Sequence, residues 1–216
     1  MKDFFSFDNG IFAFLSKICD LLFLSILWLL FCIPIFTIGP ANTALYYTTV
    51  KVIRRERGYM SREFVKSFRA NFKQGAIAGV LLTIIFAILI FDLIWSWGTW
   101  KTSNKGTILF GLFMAITFLV FCFSLYVFPV LSRFDMKFKQ LLKVSALMSI
   151  KHILYTLGIA ITTIASMYLV ASWLILIFIL PALTAYINSF LMERVFKKYM
   201  PKTDDSEQQK DEWYLE

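Results

Sequence analysis

The sequence predicts an all-α protein, a polytopic bundle of about five transmembrane helices with amphipathic helices in its cytosolic loops. Hydrophobic residues make up 59% of the 216 residues and charged residues only 17%. The core of a soluble domain of this length cannot cover that much apolar surface. Three long ranges contain no charged residue at all: 21–50, 106–132 and 153–192. Since about 20 apolar residues cross the hydrocarbon layer, each range can hold at least one span.

The basic residues are concentrated beside the apolar ranges. Of 22 Lys and Arg residues, 17 lie within 51–73, 133–151 and 194–202. Lys and Arg are retained in cytoplasmic loops, so we predict basic cytosolic loops at 41–74 and 131–152. Five spans then place the N-terminus outside and the C-terminus in the cytoplasm. No motif for nucleic-acid binding accompanies the net charge of +8, which argues against a DNA or RNA partner.

Residues 1–199 are predicted to form the membrane domain. Its first 17 residues are expected to form an aromatic segment that lies in the membrane interface. Gly39-Pro40 is expected to stop the first span, because proline cannot donate the helical hydrogen bond. A hairpin near Ala171–Ser172 divides the last apolar range, and Pro181 is expected to kink the fifth span. Residues 200–216 form an acidic tail that we expect to be disordered. The spans are expected at about 18–38, 76–97, 108–130, 153–171 and 173–192.

The cytosolic loops carry helices with one apolar and one basic face. The first loop is expected to hold helices near Thr43–Arg57 and Ser61–Lys73, and the second loop a similar helix. These faces can rest on anionic lipid or dock a partner protein. The candidate docking residues are Phe64, Phe68, Phe72, Lys66, Arg69, Phe138, Leu141 and Leu142.

Asp20 and Asp92 lie at the ends of predicted spans, where a carboxylate is costly and often functional. They are either hydrated interfacial groups, paired with a nearby lysine, or parts of a shared outer site for a cation or polar ligand. His152, the one histidine, is either a polar boundary residue or a proton relay. Gly75 and Gly79 have the spacing of close helix contacts, within the protein or across a dimer.

The sequence contains no recognisable set of catalytic residues. There is no Ser, His and Asp set, no pair of catalytic carboxylates and no phosphate-binding glycine loop. The three cysteines are isolated, which argues against a zinc site. The sequence therefore predicts a protein that is not an enzyme and that uses no cofactor or metal.

Several strings resemble the YesL family of bacterial membrane proteins. Thr37-Ile38-Gly39-Pro40-Ala41 leads into Thr43-Ala44-Leu45-Tyr46-Tyr47, and Gly58-Tyr59 and Asn71-Phe72-Lys73-Gln74 follow. Further strings are Phe128-Pro129-Val130-Leu131-Ser132-Arg133-Phe134-Asp135 with Lys139-Gln140-Leu141-Leu142-Lys143, and Pro181-Ala182-Leu183 with Ala185-Tyr186-Ile187-Asn188-Ser189. The resemblance covers about residues 5–200.

The resemblance implies five or six spans and a bacterial cell membrane, often beside carbohydrate ABC-importer components and sensor kinases. It supplies no catalytic or ligand residues. The leading hypothesis is an accessory subunit or modulator of a carbohydrate ABC importer, with its permease or ATPase subunits as partners. The alternatives are a self-contained small-solute transporter or channel and a lipid-binding, membrane-organising protein.

Overall fold

The computed structural model describes residues 5–99 and 104–199, and these residues form helices and no strand. This confirms the all-α prediction. The predicted acidic tail, the start of the interfacial segment and Trp100 lie outside the described residues. The helices are α1 Phe5–Phe31, α2 Ile38–Thr48, α3 Met60–Ala70, α4 Phe72–Thr99, α5 Asn104–Arg133, α6 Phe138–Lys151, α7 Ile153–Ser172 and α8 Leu180–Phe196.

Four of these helices are long and apolar enough to cross a membrane. The candidate spans are Phe14–Phe31, Phe72–Gly98, Lys105–Arg133 and Ile153–Ser172. The range predicted as the fifth span, 173–192, does not form one continuous helix. α7 ends at Ser172, a 3-10 turn occupies Leu174–Phe178, and α8 has 17 residues. Pro181 lies in the first turn of α8, where a missing N–H costs nothing. The expected kink at Pro181 is therefore wrong.

The first span is shorter than predicted, because α1 ends at Phe31 and a 3-10 turn at Ile35–Thr37 follows. Gly39-Pro40 does not stop a helix but lies in the first turn of α2, where proline is tolerated. α2 continues through a six-residue π-helix, Thr49–Arg54. The predicted surface helix near Thr43–Arg57 is thus an internal helix, and most of its side chains are buried.

α2 and its π-helical extension run antiparallel to α1. Trp28 Nε1 of α1 donates to Asn42 Oδ1 of α2 at 2.9 Å, and Lys17 lies 3.9 Å from Glu56. The sequence prediction placed Lys17 and the basic loop on opposite sides of the first span. Two side chains in ionic contact cannot be separated by about 30 Å of hydrocarbon, so the turn around Glu56 does not lie across the membrane from Lys17.

Two apolar clusters form the core, and α2 contributes to both. Tyr46 and Val50 belong to a cluster shared with α4 to α8. Ala44, Leu45 and Ile53 belong to a second cluster shared with α1, α3 and α8. α2 is therefore the helix on which most of the others, α1, α3, α4, α5 and α8, pack, although it is neither the longest nor the most apolar.

α2 crosses α4 at a contact between glycines. A Cβ atom built on Gly39 would lie 1.9 Å from the Gly75 carbonyl oxygen, and one on Gly79 would lie 2.9 Å from the Gly39 nitrogen. Small residues permit such close approach of two helices in lipid. The interpretation of Gly75 and Gly79 as a packing contact within the protein is confirmed.

We expect Gly39→Ala to destabilise the protein, because the methyl group meets backbone atoms that cannot rotate away. Overpacking of this kind costs about 1–3 kcal/mol, measured as a lower apparent melting temperature in detergent. Gly111→Ala is the matched control: no atom lies within 4 Å of its Cβ position, and alanine favours a helix by up to about 1 kcal/mol. Equal effects of the two substitutions would contradict the packing argument.

Candidate functional site

A buried carboxylate, Glu193 of α8, holds three separate parts of the chain together. Its side chain is nearly inaccessible, and the Arg133 guanidinium at the end of α5 forms a two-point contact with it. Arg133 Nε donates to Oε1 at 2.9 Å, and Nη2 donates to Oε2. Tyr46 of α2 donates its hydroxyl to Oε1 at 3.0 Å, and Arg55 Nη2 lies 3.8 Å from Oε2. We call these four residues the Glu193 cluster.

The electrostatics of the Glu193 cluster favour a fixed arrangement. Burial, and then the negative charge of Glu193, raise the pKa of Tyr46 well above its usual range. The phenol therefore remains protonated and continues to donate its hydrogen bond. Arginine does not lose its proton in proteins, so the two guanidinium groups stay cationic. A charge-assisted, two-point pair gives geometric specificity, which makes the cluster a clamp between α2, α5 and α8.

The Glu193 cluster also bears on the predicted loops. Arg55 follows α2 in the first basic loop, Arg133 begins the second, and Glu193 precedes the basic start of the tail. All three lie within ionic contact. The charge pattern predicted that these segments share one face of the protein, and the contacts agree with it.

Helices α5, α6, α7 and α8 are joined by further buried polar contacts. Asn188 of α8 accepts from Thr162 and donates to Thr163 of α7 at 3.1 Å. The Tyr126 and Thr156 hydroxyls, on α5 and α7, lie 3.0 Å apart, and Thr156 also donates to the Ser149 carbonyl of α6 at 2.8 Å. These buried groups satisfy one another, as an interior in lipid requires.

A cavity of about 580 Å³ lies beside the Glu193 cluster. Its walls come from α1, α2, α5, α7, α8 and the 3-10 turn before α8. Tyr46 belongs both to the wall of this cavity and to the Glu193 cluster. The clamp therefore fixes one side of the cavity.

The predicted docking face of α3 is largely inside the protein. Phe64 and Phe68 are buried, with ring centroids 5.3 and 4.8 Å from the ring of Phe31. Phe72 is partly exposed and packs on Phe68 and Phe36. The face is apolar as predicted, but α1 covers it, so Phe64 and Phe68 are not available to a partner.

The helix of the second loop is packed in the same way. Leu141 is fully buried, and Phe138 and Leu142 are half-buried. The apolar face of α6 packs on the core cluster that includes the end of α5. Its docking role is therefore not supported at Leu141, whose side chain has no exposed surface.

The basic side of α3 is exposed, as the pattern predicted. Arg62, Lys66 and Arg69 share one face of the helix, and Lys73 follows in the first turn of α4; all four are exposed. We call these four residues the basic stripe.

Lys51 and Glu63 fix the angle of α3 against α2. Their ionic contact is 2.8 Å, with both side chains largely buried. Burial lowers the pKa of Lys51, but its hydrogen bonds to Glu63 and Tyr47 outweigh that effect, so its pKa is raised overall. Lys51 therefore remains a cation within this contact.

The structure does not bring Asp20 and Asp92 together. Each is half-buried on its own helix. α1 packs on α2, α3 and α8, whereas α4 packs on α2, α3 and α5, and α1 and α4 share no extensive contact within the described residues. The lysine nearest Asp20 in sequence, Lys17, contacts Glu56 instead. A shared outer site for these two carboxylates gains no support.

His152 lies at the junction of α6 and α7. Its Nε2 atom is 3.0 Å from the Tyr199 hydroxyl. Burial lowers the pKa of His152, and the nearby cations Lys198 and Lys151 lower it further. A neutral imidazole hydrogen-bonded to Tyr199 accounts for its position at this polar boundary.

Sequence reasoning missed the Glu193 cluster. Glu193 was treated only as the end of the charge-free range, and Arg133 only as a loop residue. One available signal is that both charges directly border predicted spans at the same face, where opposite charges can meet. Tyr46 carries no such signal, because its partner lies 147 residues away.

Four helices that are long and apolar enough to cross a bilayer define a multi-pass helical membrane protein. Residues 21–93 match a family described as a protein of unknown function, DUF624, a match that contains α2, α3 and most of α4. No solved structure gives a significant match.

Two relatives come from Bacillus subtilis strain 168. The chain is 29% identical to the uncharacterized protein YteU over 151 residues, 68% of this chain and 67% of the relative. It is 27% identical to the uncharacterized protein YesL over 150 residues, 65% of this chain and 66% of the relative. The matched stretch spans about two thirds of each relative. These matches confirm the resemblance to the YesL family.

We expect Glu193→Leu to lower stability by about 3–5 kcal/mol, because it leaves the buried Arg133 guanidinium without its carboxylate. The double variant Glu193→Leu/Arg133→Met should recover part of the loss, since the unpaired guanidinium of Arg133 is then removed as well. Apparent melting temperatures in detergent measure both effects. Glu56→Gln, which breaks the exposed contact with Lys17, should change stability by less than about 1 kcal/mol. Additive losses in the double variant would contradict the clamp.

The lowered pKa of His152 predicts a pH dependence of stability. The unfolded chain binds a proton near pH 6.5, whereas the folded protein binds it only at lower pH. Stability is therefore complete above about pH 6.5 and falls as the pH drops toward the lowered pKa. The apparent melting temperature should fall less for His152→Gln than for the wild type between pH 7.5 and 5.5. Parallel curves would contradict this assignment.

Proposed function

We propose that the protein is a non-enzymatic accessory subunit of a carbohydrate ABC importer and that the basic stripe contacts its partner. The observation that supports this proposal is the exposure of all four cations of the stripe: three lie on α3, whose other face is buried, and Lys73 lies at the start of α4. The resemblance to the YesL family suggests the importer as the partner. Its permease or ATPase subunits would present an acidic surface to the stripe.

α3 is suited to this role because the contacts of its buried face fix its position. The rings of Phe64 and Phe68 pack on Phe31, and the contact between Lys51 and Glu63 fixes the side of the helix. A preformed surface loses little conformational entropy on binding. Complementary charge mainly raises the association rate and sets specificity, as suits an accessory subunit.

The orientation in the bacterial cell membrane belongs to the same proposal. The basic stripe lies directly before and at the start of the candidate span Phe72–Gly98. Basic segments are retained in the cytoplasm. We therefore place the basic stripe on the cytoplasmic side, where importer ATPase subunits bind.

The basic stripe also supports a second candidate function, binding of anionic lipid by a membrane-organising protein. Each basic residue near an anionic surface contributes about 1 kcal/mol, and this attraction weakens with salt. A self-contained transporter built on Asp20 and Asp92 is favoured less, because the two carboxylates lie on helices that do not pack together.

Affinity purification from native membranes tests the accessory role. We expect permease or ATPase subunits of a carbohydrate importer to co-purify with the wild type. Their recovery should fall at least about tenfold in Arg62→Glu/Lys66→Glu/Arg69→Glu, because three attractive contacts become repulsive. Lys139→Glu/Lys143→Glu, on the exposed side of α6, is the matched control and should retain them.

Recovery of this protein alone, in every variant, would overturn the accessory role. The lipid alternative predicts a different result. The wild type would then bind vesicles that contain phosphatidylglycerol in a salt-dependent manner, the triple variant would not, and no importer subunit would co-purify.

A further inference from the structure

We propose that the cavity beside the Glu193 cluster binds one acyl chain of a membrane lipid. This proposal does not depend on the accessory role or on the basic stripe. The cavity volume of about 580 Å³ lies in the range of pockets that hold small ligands, roughly 300–1,000 Å³. Five helices from both halves of the chain form its walls, so it is part of the fold and not a surface irregularity.

The chemistry of the walls selects an apolar ligand. Most lining side chains are aliphatic or aromatic, and several of the polar ones are bonded within the protein. Ser124 donates to the Phe121 carbonyl at 2.7 Å, and Ser166 donates to the Thr163 carbonyl at 2.9 Å. Asn188 is held by two threonines of α7. The wall therefore presents mainly methyl and methylene groups, which favour hydrocarbon over water.

The exposed residues of the wall indicate the source of that hydrocarbon. Met167 of α7 lines the cavity and is 58% exposed, and Phe121 of α5 lines it and is half-buried. Both belong to candidate membrane spans. α5 and α7 also meet at the hydrogen bond between Tyr126 and Thr156. A cavity bordered by exposed or half-buried side chains of two candidate spans is accessible to lipid chains.

One polar residue of the wall favours an acyl chain with an ester group over a hydrocarbon that has no polar group. Asn42 accepts from Trp28 through Oδ1, and no partner of its amide nitrogen is found in the part of the chain that the structure describes. This nitrogen can donate to the ester carbonyl of a lipid at the α2 end of the cavity. The acyl chain would then occupy the apolar part of the cavity, which α5, α7 and α8 line.

Photocrosslinking of the full chain tests this site. The probe is a phosphatidylglycerol with a diazirine in the middle of one acyl chain, bound to the purified protein in detergent micelles. We expect saturable labelling, competed by unlabelled lipid, at lining residues of α5 and α7. Ser166→Phe fills the cavity from α7 and should lower specific labelling at least about tenfold. A loss of this size requires that fewer than about two methylene groups of the lipid chain lose their burial.

Ala165→Phe is the matched control, because Ala165 is the adjacent residue of α7 and is exposed; it should leave labelling unchanged. Thr184→Phe, which fills the cavity from α8, gives a second variant if Ser166→Phe does not yield a monodisperse protein. Equal labelling of the cavity-filling variants and Ala165→Phe would overturn the proposal. Non-saturable labelling spread over exposed residues of α4, such as Ile88 and Phe91, would overturn it as well.

Discussion

The buried carboxylate of Glu193 is the constraint on which the arrangement of the helices depends. A charge removed from water is tolerated only if paired groups compensate for its lost hydration. Here those groups are the guanidinium of Arg133, the hydroxyl of Tyr46 and the nearby charge of Arg55. Because the four residues come from distant parts of the sequence, satisfying one carboxylate determines where α2, α5 and α8 meet.

The second constraint is the position of α2 at the centre of the protein. Lipid supplies little hydrophobic driving force between helices, so close backbone contact must contribute instead. Gly39 of α2 provides it with Gly75 and Gly79 of α4. The side chains of α2 then enter both apolar clusters. A helix that looks like part of a loop in the sequence thus joins the four candidate spans.

This arrangement separates two surfaces that could bind other molecules. The basic stripe faces outward from α3 and is held by the aromatic contacts beneath it. The cavity is lined by α1, α2, α5, α7 and α8, and no residue of α3 is in its wall. An accessory subunit with such a plan could bind a protein partner at one surface and a lipid chain at the other. Tyr46 is the residue through which the cavity wall touches the Glu193 cluster.

The sequence alone determined that this chain folds in a lipid bilayer. Its charge-free ranges are too apolar for water and long enough to cross the hydrocarbon layer. It also determined that Gly75 and Gly79 are contact positions and that the basic residues of α3 are exposed. It could not determine what covers an apolar face. The spacing of Phe64 and Phe68 is the same whether a partner or Phe31 lies against it.

Only the tertiary structure decided which distant groups meet. A proline can begin a helix or end one, and the choice at Pro40 and Pro181 depends on how the preceding chain packs. The partners of Glu193 are 60 and 147 residues away, so no local pattern relates them. The antiparallel return of α2 along α1 likewise follows from contacts such as Trp28 with Asn42. Hydropathy indicates how strongly a segment prefers lipid. Packing and ion pairing decide whether the next helix runs back along it.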